Sequence, residues 1–206
     1  MDVPVYVKVC GLTTVDAARV AVDAGADAIG IVMNETSPRA IDIPTARAIL
    51  AAVGDAADTV LVVNDKTAVA AAELAADLGV DVLQLHGTYT PEDFRLARER
   101  VARLWRATSS AHDPDLTVGA YGEEALLLDA ARPGSGQRWD TATLTHRPRG
   151  RWILAGGLRP DNVAEAIAAA APWGVDVSSG VESAPGVKDH EAIRAFVGAA
   201  RSPGAS

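Results

Sequence analysis

Short runs of Val, Ile and Leu alternate along this chain with Ala-rich stretches whose apolar positions recur every three or four residues. The first run, Val5-Tyr6-Val7-Lys8-Val9-Cys10, is broken at once by Gly11, and Thr14 then opens a helical stripe. Strand candidates follow at 27–33, 59–64, 81–86, 103–108, 125–129, 151–155 and 175–178. They are close to continuously apolar, as strands of a parallel sheet covered on both faces are. Between them, Ala17, Val20, Ala21 and Ala24 fall on one helical face, as do Ala46, Ile49, Leu50 and Val53, and Ile193, Phe196, Val197 and Ala200. Helix starts are marked by Pro44, by Pro91-Glu92-Asp93 and by Pro160-Asp161-Asn162.

Eight strand–loop–helix units predict an α/β fold, a (β/α)8 TIM barrel. Barrels of this kind typically run to about 250 residues, so 206 residues make a compact one. We expect one domain over residues 1–201 and a frayed tail at 202–206. The stretch 110–124 holds Pro114, Gly119 and Gly122 without an apolar stripe, so the fifth helix is expected to be short or irregular. A doubly wound open sheet is the alternative, disfavoured because no Gly-x-Gly-x-x-Gly loop is present.

Net charge of −8 with no basic run argues against nucleic acid as a partner. A lone cysteine cannot close an internal disulfide, which fits a reducing, cytoplasmic setting. No leader pattern stands out, and no apolar stretch approaches the roughly 18 residues of a membrane span, so no membrane partner is expected. Nothing in the sequence marks an oligomeric state.

In such barrels the chemistry sits where strands end and loops begin. Cys10 ends the first strand, Arg39 follows the second, His86 ends the fourth and Asp129 the sixth. Asp176 lies at the eighth. Free cysteine is ordinarily a small, buried hydrophobe; this one shares a rim with a guanidinium, an imidazole and carboxylates. Gly156-Gly157 after strand seven and Ser179-Gly180 after strand eight have the layout of a barrel phosphate site. A small phosphorylated molecule is therefore the expected ligand.

These residues sit in longer blocks that resemble one family. Val7-Lys8-Val9-Cys10-Gly11-Leu12-Thr13, Ser37-Pro38-Arg39, Leu83-Gln84-Leu85-His86-Gly87 and Leu127-Leu128-Asp129 come in order. Ala155-Gly156-Gly157-Leu158, Val175-Asp176-Val177-Ser178-Ser179-Gly180-Val181-Glu182 and Pro185-Gly186-x-Lys188-Asp189 complete the series. Together they are similar to the phosphoribosylanthranilate isomerase family of tryptophan biosynthesis, over nearly the whole chain.

The resemblance implies a cofactor-free Amadori rearrangement of N-(5-phosphoribosyl)anthranilate to 1-(2-carboxyphenylamino)-1-deoxyribulose 5-phosphate. It assigns Asp129 as the acid that opens the furanose and Cys10 as the base that takes the C2 proton. It sets Arg39 against the anthranilate carboxylate, with no metal. From its place on the rim, Asp176 suits ribose hydroxyls or a structural pairing, and His86 suits a hydrogen-bonded imidazole that organises the rim or a substrate contact. A thiol ordinarily near 8.5 needs only modest help to ionise. Departures from the family pattern are the loop Pro133-Gly134-Ser135-Gly136-Gln137-Arg138, Ile31-Val32-Met33 in place of aromatic residues, and Leu61-Val62-Val63 without a phenylalanine. Two alternatives remain: a histidine-pathway type of phosphosugar barrel, which would carry aspartate where Cys10 stands, and a catalytically weak paralogue, which would have lost Cys10 or Asp129.

Overall fold

The computed structural model describes residues 4–109, 115–129 and 148–202. Eight parallel strands close into a barrel in sequence order. They are β1 (Tyr6–Cys10), β2 (Ala28–Val32), β3 (Asp58–Val63), β4 (Val82–His86), β5 (Leu104–Ser109), β6 (Ala125–Asp129), β7 (Trp152–Leu154) and β8 (Gly174–Val177). Each lies within a residue or two of the span its apolar run predicts. Helices α1 (Val15–Asp23), α2 (Ile43–Val53), α3 (Ala68–Leu78) and α4 (Pro91–Arg98) follow the first four strands. Helices α5 (Val163–Ala170) and α6 (His190–Arg201) follow β7 and β8. The crossover from β6 to β7, with the altered loop 133–138, lies outside the described residues, as does the tail from 203.

Local chemistry explains where the helices begin. Thr14, Asp42, Thr67 and Thr90 sit in extended backbone and accept from the first-turn N–H groups of α1 to α4 through their side-chain oxygens. At α4, Asp93 returns the bond to Thr90, forming a capping box, and Pro91 supplies a preset φ.

Side-chain alternation along the strands sorts the core into two shells. Val7, Val9, Ile29, Ile31, Leu61 and Val63 point outward and meet the helices. Cys10, Ala28, Val60, Val82, Trp105, Ala125, Leu127 and Ile153 point inward and fill the barrel. Its lower end is sealed by Tyr6, which stacks on Trp173 at 4.4 Å and meets Trp105 edge-on at 6.0 Å. The end where the strands finish is open.

The fifth crossover has no helix among its described residues, 115–124, which run as turns. A buried ion pair does the covering instead. Arg106 points outward from β5, 2% exposed, and its Nε donates to Glu123 Oε1 at 3.0 Å. Its Nη1 and Nη2 donate to the carbonyls of Asp115 and Thr117 at 3.0 and 3.1 Å. The Tyr121 ring lies against the guanidinium at 4.3 Å and meets Phe94 of α4 edge-on. A cation in an apolar shell thus ties down the turns at 115–124.

One element has no counterpart in the strand pattern: a hairpin of β9 (Glu182–Ala184) and β10 (Val187–Lys188) between β8 and α6. It lies across the open end, where Thr13 Oγ1 donates to the Gly186 carbonyl at 2.9 Å.

Glu123→Ala removes the carboxylate that faces a buried guanidinium, and should cost about 3 kcal/mol. The check is the denaturant midpoint at unchanged slope. Arg106→Met with Glu123→Leu should recover much of that loss, because no charge is then stranded. A loss below about 1 kcal/mol for Glu123→Ala would mean that the carboxylate is dispensable to the loop.

Candidate active site

A cavity of about 240 Å³ opens at the C-terminal mouth of the barrel. Cys10, Arg39, His86, Asp129, Gly156, Gly157, Asp176, Ser179 and Gly180 all line it. Every side chain singled out from the sequence therefore meets in one place. Asn34, Ser37, Asn64, Gln84 and Ser178 add polar atoms to the same wall.

Cys10 is the last residue of β1 and only 7% exposed. Its room is made by Gly30, its ladder partner on β2: a Cβ there would stand 2.8 Å from the thiol sulfur. Burial pushes the thiol above its usual value, while the Lys8 ammonium pulls it down. Asp176 pushes it up again and Lys188 opposes that. Burial prevails, so the unliganded thiol holds its proton more tightly than a free cysteine. The expectation that modest help suffices for ionisation gives way to a steeper requirement.

Asp176 and Lys8 face each other across the β1–β8 ladder, and Lys8 Nζ donates to Asp176 Oδ1 at 2.8 Å. Lys8 is wholly buried, and burial alone would strip its charge; Asp176, with Cys10 beyond it, more than restores it. Lys8 did not stand out as a site residue in the sequence. The available signal was a lysine at an inward position of a buried strand, where charge is tolerated only with a partner.

Arg39 is held from behind. Its Nε and Nη2 donate to both oxygens of Glu182 at 2.6 and 2.8 Å, a two-bond fork. Lys188 Nζ joins at 2.8 Å to the same Glu182 oxygen and at 2.8 Å to the Ser178 carbonyl. Burial works against charge on Glu182, but the bonds from Arg39 and Lys188 outweigh it and hold the carboxyl below its usual range. Glu182 and Lys188, both from the unforeseen hairpin, are the second omission of the sequence reading. With Nε and Nη2 engaged by Glu182, Arg39 still lines the cavity.

Across the mouth, Gly156 and Gly157 have φ of 87° and 67°, a region that side chains disfavour. Asn162 braces their turn: its Nδ2 donates to the Gly157 carbonyl at 3.0 Å, and its Oδ1 accepts from Arg159 N at 2.8 Å. Gly180 is required for a different reason, since a Cβ there would overlap the Leu158 carbonyl oxygen. Of the residues that depart from the family pattern, Val32 and Val62 line the cavity. Ile31, Leu61 and Val63 point outward into the helix layer.

Gln84, 2% exposed, lines the cavity, and its buried Oε1 has no hydrogen-bond partner among the described residues. A buried acceptor left unpaired is costly unless a ligand completes it. Among the described residues, no group of three or more His, Cys, Asp or Glu side chains is disposed to hold a metal ion. No helix among them is long and apolar enough to cross a membrane.

Comparison with known proteins places this geometry. The family model for N-(5'-phosphoribosyl)anthranilate isomerase matches residues 7–199. N-(5'-phosphoribosyl)anthranilate isomerases of Geobacter sp. (strain M21) and Acidithiobacillus ferrooxidans are 43% and 45% identical over 203 residues. Those alignments cover 95% and 96% of this chain and 97% and 98% of the relatives. Among solved structures, TrpF from Jonesia denitrificans is 56% identical with a TM-score of 0.92, covering 98% of each chain. The phosphoribosyl anthranilate isomerase of Thermotoga maritima is 35% identical with a TM-score of 0.87, covering 96% of this chain and 99% of its own. A phosphoribosyl anthranilate isomerase solved in complex with reduced 1-(o-carboxyphenylamino)-1-deoxyribulose 5-phosphate is 33% identical, with a TM-score of 0.84 over 96% of this chain and 99% of its own. By sequence and by fold, this chain belongs to the N-(5'-phosphoribosyl)anthranilate isomerase family.

Proposed function

We propose that this protein isomerises N-(5-phosphoribosyl)anthranilate to 1-(2-carboxyphenylamino)-1-deoxyribulose 5-phosphate, by acid–base catalysis without a cofactor. The observation that carries the reading is a cavity lined by both Cys10 and Asp129, delivered by the ends of β1 and β6. Asp129, as the carboxylic acid, gives its proton to the ring oxygen. The C1–O bond breaks, and the anthranilate nitrogen lone pair forms the C1=N iminium. Cys10, as thiolate, then takes the C2 proton. The C2–H electrons form C1=C2 and the iminium pair returns to nitrogen, giving an enolamine that tautomerises to the ketone.

The rest of the wall suits the two ends of that substrate. Arg39, pre-aimed by Glu182, faces the anthranilate carboxylate, and the turns at 156–157 and 179–180 receive the phosphate. The ligand in the solved relative's complex carries both groups. Gln84, His86 and Asp176 line the stretch between, where ribose hydroxyls pass. We place the enzyme in the cytoplasm as one working domain over residues 1–201, where a reducing environment keeps its single thiol competent.

The direct test is loss of anthranilate fluorescence when purified protein meets freshly generated substrate without added metal or nucleotide. Cys10→Ala should leave a folded barrel that turns over slower by about 100-fold or more, the contribution of a placed base. Near-normal kcat there would remove the thiol from the mechanism.

Because burial holds the thiol protonated, kcat should rise with pH across the neutral and mildly alkaline range as thiolate becomes populated. A flat profile there would mean that thiolate formation does not limit turnover.

Asp129→Asn keeps the shape but cannot protonate the ring oxygen, so kcat should fall far more than affinity. A raised KM at unchanged kcat would make Asp129 a binding residue.

Gly180→Val should weaken product and inorganic phosphate together, by forcing the 180 turn off Leu158. Arg39→Ala should weaken product while sparing free phosphate. Equal loss of phosphate in both variants would contradict the two-ended pose.

A further inference from the structure

We propose that Lys8 is the positioning residue that makes Cys10 usable as a base: its buried ammonium, locked by Asp176 beneath the thiol, stabilises the thiolate when the C2 proton is to be taken. The proposal rests on the acid–base reading above and assigns a role to a residue that touches no substrate.

Geometry supplies the first support. Lys8 and Cys10 are two residues apart on one strand, so both point into the barrel, one layer apart. Lys8 does not line the cavity, and Tyr6, Trp105 and Trp173 seal the space below it. Its charged end therefore lies under the cavity floor, between the apolar plug and the thiol. The ladder places Asp176 opposite, and the 2.8 Å bond fixes the ammonium laterally. A side-chain hydrogen bond between Lys8 and Cys10 adds to this, and the ammonium is the strongest charge acting to stabilise the anion.

Energetics supply the second. A buried lysine is expensive, and a lysine–aspartate pair in a barrel interior is a poor way to gain stability. Its retention beneath the one cysteine of the chain is explained if the positive charge serves the anion above it. The other charges facing Cys10 do not replace it. Asp176 opposes ionisation; Lys188 on β10 and Arg39 favour it but are committed to Glu182. Asp129 on β6 and His86 on β4 face the same cavity from other strands.

Because the chain has a single cysteine, alkylation by iodoacetamide reads that thiolate without using the isomerase reaction. The alkylation rate is followed against pH by intact mass for the wild type, Lys8→Met, and Lys8→Met with Asp176→Asn. The double variant leaves no stranded charge and so guards against misfolding. Lys8→Met should move the alkylation midpoint up by at least about one pH unit, a tenfold loss of thiolate at a given pH. Its kcat should fall in proportion, with KM little changed. The double variant should keep an upward shift, though a smaller one. An unchanged midpoint in Lys8→Met, or a double variant that returns to the wild-type midpoint, would overturn the proposal; the latter outcome would assign the effect to the stranded carboxylate. Failure of the wild type to convert phosphoribosylanthranilate would instead defeat the functional reading, and the alkylation profiles would still report on Lys8.

Discussion

Barrel closure lays β1 against β8, and that ladder joins residues 168 positions apart in sequence. The polar part of the site depends on this pairing. It puts Asp176 opposite Lys8, so that a lysine can stay charged where water is excluded. It also brings the loop after β8, with Ser179 and Gly180, to the same rim as Cys10. Slipping the ladder by one residue would turn Lys8 toward the helices and Cys10 away from the cavity, since side chains alternate with period two.

Opposing electrostatic demands then shape the site. In the proposed mechanism burial keeps bulk water from the iminium and enolamine, yet burial raises the Cys10 thiol and so works against its use as the base. The fold answers with cations that are themselves paired: Lys8 with Asp176 below the thiol, and Lys188 and Arg39 with Glu182 beside it. Each carboxylate lets a cation remain in a place where it would otherwise be neutralised or excluded. The same device recurs away from the site, where Glu123 keeps Arg106 in the outer shell and pins the turns at 115–124.

The strand ends, and with them the candidate residues, were legible because parallel strands leave an unmistakable apolar record and barrels confine chemistry to one rim. What escaped was the support behind those residues. Lys8 and Glu182 stand inside the blocks that carry the family resemblance, but neither position announces its partner. Lys8 meets Asp176, and Arg39 meets Glu182, only across the closed barrel. The β9–β10 hairpin was hidden because its strands are very short and largely exposed, with no apolar run to mark them. Gln84 stood within the Leu83–Gly87 block with no role of its own; only the structure shows that its buried oxygen lacks a partner among the described residues.

The central claim is that a buried thiol, ionising with difficulty, removes the C2 proton in the slow chemical step. Single-turnover conversion of substrate carrying deuterium at C2, compared with protium, tests it without interference from product release. Single turnover of the deuterated substrate should be several-fold slower. Identical single-turnover rates for the two substrates would contradict the claim, because C2–H cleavage by Cys10 would then not be the step that the site is built to ease.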